Sequence, residues 1–193
     1  MTPAYSTRLD DALALAADSF RGVRRKGTAI PYLTHLLQVM VTVGENGGDE
    51  DQLIAAVLHD YLEDIEGSSA QQLAQRFGPR VASLVADLSD TELRPKPPWR
   101  ERKEAYLARL EGKPADLKLI SCADKLHNAE CILRDLRSVG PAVWDRFSAP
   151  MEGTLWYYRE LLKALGTGWS SPLLQRLENT VRTLHLEANV QQD

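Results

Sequence analysis

The segment "LIAAVLHDYLEDI", residues 53–65, constrains this chain more than any other. Its Leu, Ile, Ala and Val residues recur at helical spacing, which predicts a helix buried on most sides. The same segment carries an imidazole, His59, and three carboxylates, Asp60, Glu63 and Asp64. Charge removed from water is costly unless it is paired or bound to a cation. On a continuous helix His59 and Glu63 lie one turn apart, as do Asp60 and Asp64. A fold that buries this helix must therefore bring partners to one arc of it.

The remaining chain is helical in pattern nearly throughout. "DDALALAADSFRGV" repeats Leu and Ala at helical spacing, and "RRKGTAI" reads as a loop broken at Gly27. Pro31 can open a helix, "PYLTHLLQVMVTVGENGG", that ends in a glycine-rich turn. "SSAQQLAQRFG" predicts a capping box from Ser68 to Gln71 and a stop at Gly78. Pro79 restarts a helix, "PRVASLVADLSD". Residues 91–98 are proline-rich and charged, the expected site of a mobile loop. "RERKEAYLARLEG" and "PADLKLISCADKLHNAECILRDLR" follow, and Pro141, Pro150 and Pro172 punctuate two or three final helices. Residues 188–193 read as a frayed tail. With no alternating strand pattern, the expectation is one all-α domain, a bundle of about eight to ten helices over 1–193 with its core at about 8–187.

The helix after Pro114 repeats the oddity of the first. Leu117, Leu119, Ile120 and Leu126 are core-like, while Asp124, Lys125, His127 and Asn128 interrupt them. His35 in "PYLTHLLQV" is a third polar intruder. His35, His59, Asp60 and Asp124 together offer a divalent ion two imidazoles and two carboxylates. That mixed set suits Mn²⁺, Fe²⁺ or Zn²⁺ better than Ca²⁺ or a thiolate-seeking ion. Glu63 and Asp64 would then orient a water or move its proton. Taken singly each residue has a plainer explanation: a packed histidine, a surface ion pair, acids at a helix end. The ordered set, each member on an apolar helix, favours a metal site.

Formal net charge is −4, from 23 Lys plus Arg against 27 Asp plus Glu, which argues against a general nucleic-acid binder. "RGVRRK" is the densest basic cluster, suited to a small anionic ligand: Arg stacks on a base, Lys offers a point charge to phosphate. Arg94, Lys96, Arg100, Arg102 and Lys103 flank the proline-rich segment as either a phosphate lid or a solvated loop. Cys122 and Cys131 are too few for a disulfide framework. On one helix they stand roughly 13 Å apart in rise, so they are expected as reduced thiols of a cytoplasmic protein. The N-terminal stretch lacks a basic start and an uninterrupted apolar run, so no signal peptide is expected. No run approaches the roughly 20 apolar residues of a membrane span.

The stretches "RRKGTAIPYLTH", "AAVLHDYLEDI", "FGPRVASLVADLSD" and "KLISCADKLHNA" resemble, in order and spacing, the HD-domain metal-dependent phosphohydrolases. They resemble most the hydrolase domain of RelA/SpoT alarmone enzymes and the stand-alone small alarmone hydrolases. The resemblance implies removal of the 3′-diphosphate of (p)ppGpp, giving GDP or GTP and pyrophosphate, with one Mn²⁺ per chain. It implies metal ligation by His35, His59, Asp60 and Asp124, and water activation by Glu63 and Asp64. It also implies nucleotide contacts from Arg25, Lys26 and Asn128, and a ribose contact from Tyr157 or Tyr158. Leu36, Ile65 and the "AECIL" run depart from the family pattern without removing a ligand. Adenine alarmones such as (p)ppApp, NADPH, or a catalytically silent nucleotide sensor stay open as alternatives.

Overall fold

The computed structural model describes residues 5–91 and 95–190; within these it is helical, with one isolated bridge, Arg24 to Pro31, and no strand. In order the helices are α1 (Thr7–Ser19), α2 (Leu33–Glu45), α3 (Glu50–Val57), α4 (Tyr61–Asp64), α5 (Ala70–Phe77), α6 (Pro79–Leu88), α7 (Trp99–Glu111), α8 (Ala115–Val139), a 3-10 stretch (Gly140–Arg146), α9 (Met151–Gly166) and α10 (Pro172–Val190). This is the all-α bundle expected.

The long α8 is the spine. It packs against α2, α3 and α6 on one side and most extensively against α10 on another. Leu117, Ile120, Leu126, Ala129 and Leu136 of α8 are buried, as are Leu36, Val39 and Val43 of α2 and Ile54, Ala55, Ala56 and Val57 of α3. These side chains form one continuous apolar cluster.

Four local expectations need correction. The run from Asp49 to Ile65 is not one helix. α3 stops at Val57, and residues 58–60 form a turn before α4 begins. Leu58 and Asp60 sit near φ −108°, ψ 8° and φ −95°, ψ 3°, between the helical and extended wells. The His59 side chain supports the turn, its Nδ1 donating to the Ala56 carbonyl at 2.7 Å. Neither proline nor glycine marks the break, so periodicity alone passes over it.

The capping box lies one residue later than expected. Ser69 Oγ accepts from the Gln72 backbone N–H at 3.2 Å, and Gln72 Oε1 accepts from the Ser69 N–H at 3.1 Å. Ser68 instead donates to the Ile65 carbonyl at 2.7 Å. A doubled Ser and a doubled Gln fit either register, and the turn at Gly67 decides. A second box, Asp49 with Gln52, starts α3, and the sequence carries its D-x-x-Q pattern.

Pro31 does not open α2. It pairs with Arg24 in the bridge, Tyr32 N–H donates to the Val23 carbonyl at 2.9 Å, and the helix starts at Leu33. Finally, α10 runs through Val190 with Ala188 buried, beyond the expected start of the tail; residues 191–193, and Arg94 of the basic flank, lie outside the described residues.

Candidate metal centre and substrate cavity

The turn after α3 and the first turn of α2 face the middle of α8. His35 is fully buried, and His59 and Asp124 nearly so. His35 Nε2 lies 3.2 Å from Asp124 Oδ1 and His59 Nε2 lies 3.6 Å from the same oxygen. Asp60 Oδ2 is 3.0 Å from His59 Nε2 and 3.9 Å from His35 Nε2. Both imidazole nitrogens are buried and lie within ion-pair distance of these carboxylates, but neither makes a well-aligned hydrogen bond. Donor atoms about 2.1 Å from one ion stand roughly 3 Å apart when adjacent and about 4 Å when opposite. The four His–Asp separations fall in that span; His35, His59 and Asp124 form a group close enough to hold one metal ion, and Asp60 lies at its edge, near the two imidazoles.

Each of these side chains is held from behind. Tyr32 Oη donates to Asp60 Oδ2 at 2.6 Å. Asn128 Nδ2 donates to Asp124 Oδ1 at 2.6 Å, and Lys125 Nζ binds Asp124 Oδ2. His59 is fixed by the Ala56 carbonyl, and His35 Nδ1 meets His127 Nδ1 at 2.6 Å. Such outer partners set ring orientation and ligand basicity. The sequence singled out Asp124, His127 and Asn128 as polar intruders but assigned His127 and Lys125 no role, and it passed over Tyr32. The signal for Tyr32 is its place three residues before His35, at the N-cap of α2.

Electrostatics follow from this crowding. Burial pushes Asp124 up, but Lys125 and His59 outweigh it and hold the carboxyl well below its usual range. Burial also raises Asp60, and His59 overcomes that. Burial lowers His59, yet Asp60 and Asp124 raise it well above an ordinary histidine. Burial lowers His35, and burial, His35 and Arg25 bring His127 down to about 4. The negative charge that favours a proton on His59 favours a divalent cation among the same atoms.

Glu63 and Asp64 sit on α4, beside this cluster. Burial, then Asp90 and Asp60, push the Glu63 carboxyl up; burial and Asp60 do the same for Asp64. Lys96 bridges them, its Nζ 2.9 Å from Glu63 Oε1 and 3.3 Å from Asp64 Oδ1. Of the other flanking cations, Arg102 and Lys103 are both bound to Asp90. Arg100 turns away, pairing with Glu104 and lying over the Trp156 ring.

A cavity of about 610 Å³ opens above these groups. Among the described residues its wall carries nine Lys and Arg against five Asp and Glu, a local basic excess in an acidic chain. Arg25 and Lys26 stand at its rim on a small hairpin closed by the Arg25 N–H to the Ile30 carbonyl at 2.9 Å. Arg25 lies over Tyr32 and donates to Asn128 Oδ1 at 2.7 Å. Asn128 is thus engaged on both sides, between Arg25 and Asp124. Gly27, at φ +68°, lets the hairpin lie under Arg146, whose side-chain carbons would meet a Cβ there at 2.6 Å. Arg146 in turn binds Asp135 at 2.8 Å. Tyr157 and Tyr158 both line the cavity, and the Tyr157 hydroxyl is buried without a hydrogen-bond partner.

An all-helical bundle that gathers histidine and aspartate from two helices and an interhelical turn at its centre defines the class. The HD-domain family matches residues 12–154, and the chain belongs to that family, in the branch of the RelA/SpoT-type hydrolase domains. The family implies divalent metal binding. A relative in Drosophila melanogaster, the guanosine-3′,5′-bis(diphosphate) 3′-pyrophosphohydrolase MESH1, is 34% identical over 142 residues, 72% of this chain and 75% of that protein. The bifunctional (p)ppGpp synthase/hydrolase SpoT of Escherichia coli K12 is 33% identical over 165 residues, 82% of this chain and 22% of the longer protein. The solved structure of a metazoan ortholog of SpoT, reported to hydrolyse ppGpp, has a TM-score of 0.74 at 28% identity, covering 92% of this chain and 96% of its own. That of lmo0812 from Listeria monocytogenes EGD-e has a TM-score of 0.70 at 27% identity, covering 81% and 99%. No helix among the described residues is long and apolar enough to cross a membrane.

Proposed function

We propose that this protein removes the 3′-diphosphate of (p)ppGpp with one Mn²⁺ held by His35, His59, Asp60 and Asp124. The observation that carries the proposal is the pair of buried imidazole nitrogens that converge with Asp60 and Asp124 on the floor of a cationic cavity. The relatives named for ppGpp hydrolysis support the choice of substrate. Two free thiols, Cys122 and Cys131, accord with a reducing cytoplasm.

A bound divalent ion lowers the pKa of water and neutralises phosphate charge. The chain's own groups do the rest. Glu63, whose carboxyl burial pushes up, takes the proton of the attacking water, and Asp64 orients that water. The water oxygen bonds to the proximal phosphorus of the 3′-diphosphate. The bond from that phosphorus to O3′ breaks, and O3′ receives a proton. Pyrophosphate and GDP or GTP leave. Arg25 packs on the base, and Lys26 meets the phosphates from the rim.

The test is incubation of Mn²⁺-loaded protein with ppGpp, ppApp, NADPH and GTP, with products identified by anion-exchange chromatography. Pyrophosphate and GDP from ppGpp are expected. A protein that binds Mn²⁺ yet leaves ppGpp intact refutes the proposal, and turnover of ppApp or NADPH alone reassigns the substrate.

A further inference from the structure

Three of the four grouped side chains are oriented by ordinary partners: a backbone carbonyl for His59, an amide and an ammonium for Asp124, a phenol for Asp60. His35 is different. Its Nδ1 faces a second imidazole nitrogen, His127 Nδ1, at 2.6 Å, with the ring planes 18° apart. Two ring nitrogens at hydrogen-bond distance share one proton, because two N–H groups cannot face each other. His127 Nε2 in turn lies 3.5 Å from Cys131 Sγ. His127 follows Asp124 by three positions on α8 and precedes Cys131 by four, so one helix face carries all three.

Proton placement along this row is determined once His35 offers Nε2 to a cation. A neutral imidazole with a free Nε2 lone pair carries its proton on Nδ1. That proton can only be donated to His127 Nδ1, which must then be bare. His127 therefore holds its own proton on Nε2, directed at the Cys131 sulfur. A carbonyl would accept the His35 proton whatever its surroundings. An imidazole accepts it only as one of its two tautomers, and in that tautomer the Cys131 sulfur stands where it can accept the other ring proton.

We infer that His127, steadied by Cys131, is a positioning residue that holds His35 in its metal-binding tautomer. The inference rests on the proposed role of His35 as a metal donor. Its test measures metal binding with no nucleotide present. Isothermal titration with Mn²⁺ is performed on the wild type, His127→Phe, His127→Asn and Cys131→Ala. Loss of an outer partner typically weakens metal affinity by about 10–100-fold, and that is expected for His127→Phe. His127→Asn, whose Oδ1 can accept where Nδ1 did, is expected to rescue most of the loss, and Cys131→Ala to show a smaller one. A general packing defect would not be rescued by asparagine. In parallel, ¹⁵N imidazole spectra of the Zn²⁺-loaded wild type are expected to show His35 protonated at Nδ1 and His127 at Nε2; these spectra decide the matter if His127→Phe does not fold. Unchanged Mn²⁺ affinity in folded His127→Phe, or a His127 protonated at Nδ1 in the loaded protein, overturns the inference while leaving the metal site standing. A wild type that binds no Mn²⁺ overturns both.

Discussion

The Asn128 amide joins two parts of the molecule that perform different tasks. Its nitrogen holds the Asp124 carboxylate and its oxygen receives Arg25. Asn128→Ala therefore loosens the metal centre as well as the nucleotide rim, and Mn²⁺ affinity measured without nucleotide is expected to fall by about 10-fold. A residue that touched only nucleotide would leave that affinity unchanged. Glu63→Gln should do the opposite, keeping Mn²⁺ binding while lowering kcat by roughly 10²-fold or more in a single-turnover assay. At this scale the sequence was legible where a polar residue interrupts an apolar helix, as at His59, Asp60 and Asp124, because burial cost makes such residues conspicuous. It was not legible where function depends on what a side chain meets across the fold. That Lys96 bridges Glu63 and Asp64, and that His127 reaches His35, are facts of packing between distant segments.

Between residues and the whole lie the devices that fix element geometry. Lys118 is 1% exposed, and its ammonium donates to the Glu111 carbonyl at 3.0 Å, the Ala164 carbonyl at 3.2 Å and the Thr167 carbonyl. It closes the ends of α7 and α9 together, where cations complement the helix dipole. Lys118→Met leaves those carbonyls bare, with an expected loss of about 2–4 kcal/mol in urea unfolding. The sequence offered only a lysine among core residues, and a lysine's stem commonly snorkels outward. The hairpin bearing Arg25 and Lys26 depends on Gly27. Alanine there faces a positive φ and a Cβ blocked by the Arg146 side chain, so the hairpin backbone is strained and either it or Arg146 must move. Gly27→Ala is expected to raise KM several-fold while Mn²⁺ affinity, which depends on groups beneath the hairpin, stays near wild type. The break at 58–60 belongs here too. Helical spacing records which residues are apolar, and the turn that re-aims His59 and Asp60 is held by the His59 side chain on the Ala56 carbonyl, which spacing does not encode.

For the molecule as a whole, charge couples stability to solution conditions. Burial raises Asp90, but Lys103 and Arg102 overcome it and hold the carboxyl down to about 2. An unfolded aspartate titrates at about 3.9. A carboxyl depressed on folding contributes stability above its unfolded pKa and loses it as pH falls through the folded value. Melting temperature should therefore drop between about pH 4 and pH 2, and Asp90→Asn, already less stable at neutral pH, should show a shallower fall in the same window. Mn²⁺ should act in the other direction. An ion that binds only the folded chain adds about 2.7 kcal/mol at 100 times its dissociation constant. The melting temperature should rise with Mn²⁺ and return on chelation, and His59→Ala should abolish the rise.

The dominance of α8 carries an evolutionary consequence. Asp124, Lys125, His127 and Asn128 occupy its middle, and the helix is seated by α2, α3 and α6 from one direction and by α10, near the far end of the chain, from another. The donors come from α2, the turn after α3 and α8, so a short fragment of the bundle would carry some ligands without the others. Any transfer of this chemistry to another protein must carry those distant stretches together, and the match to Escherichia coli SpoT spans 165 residues.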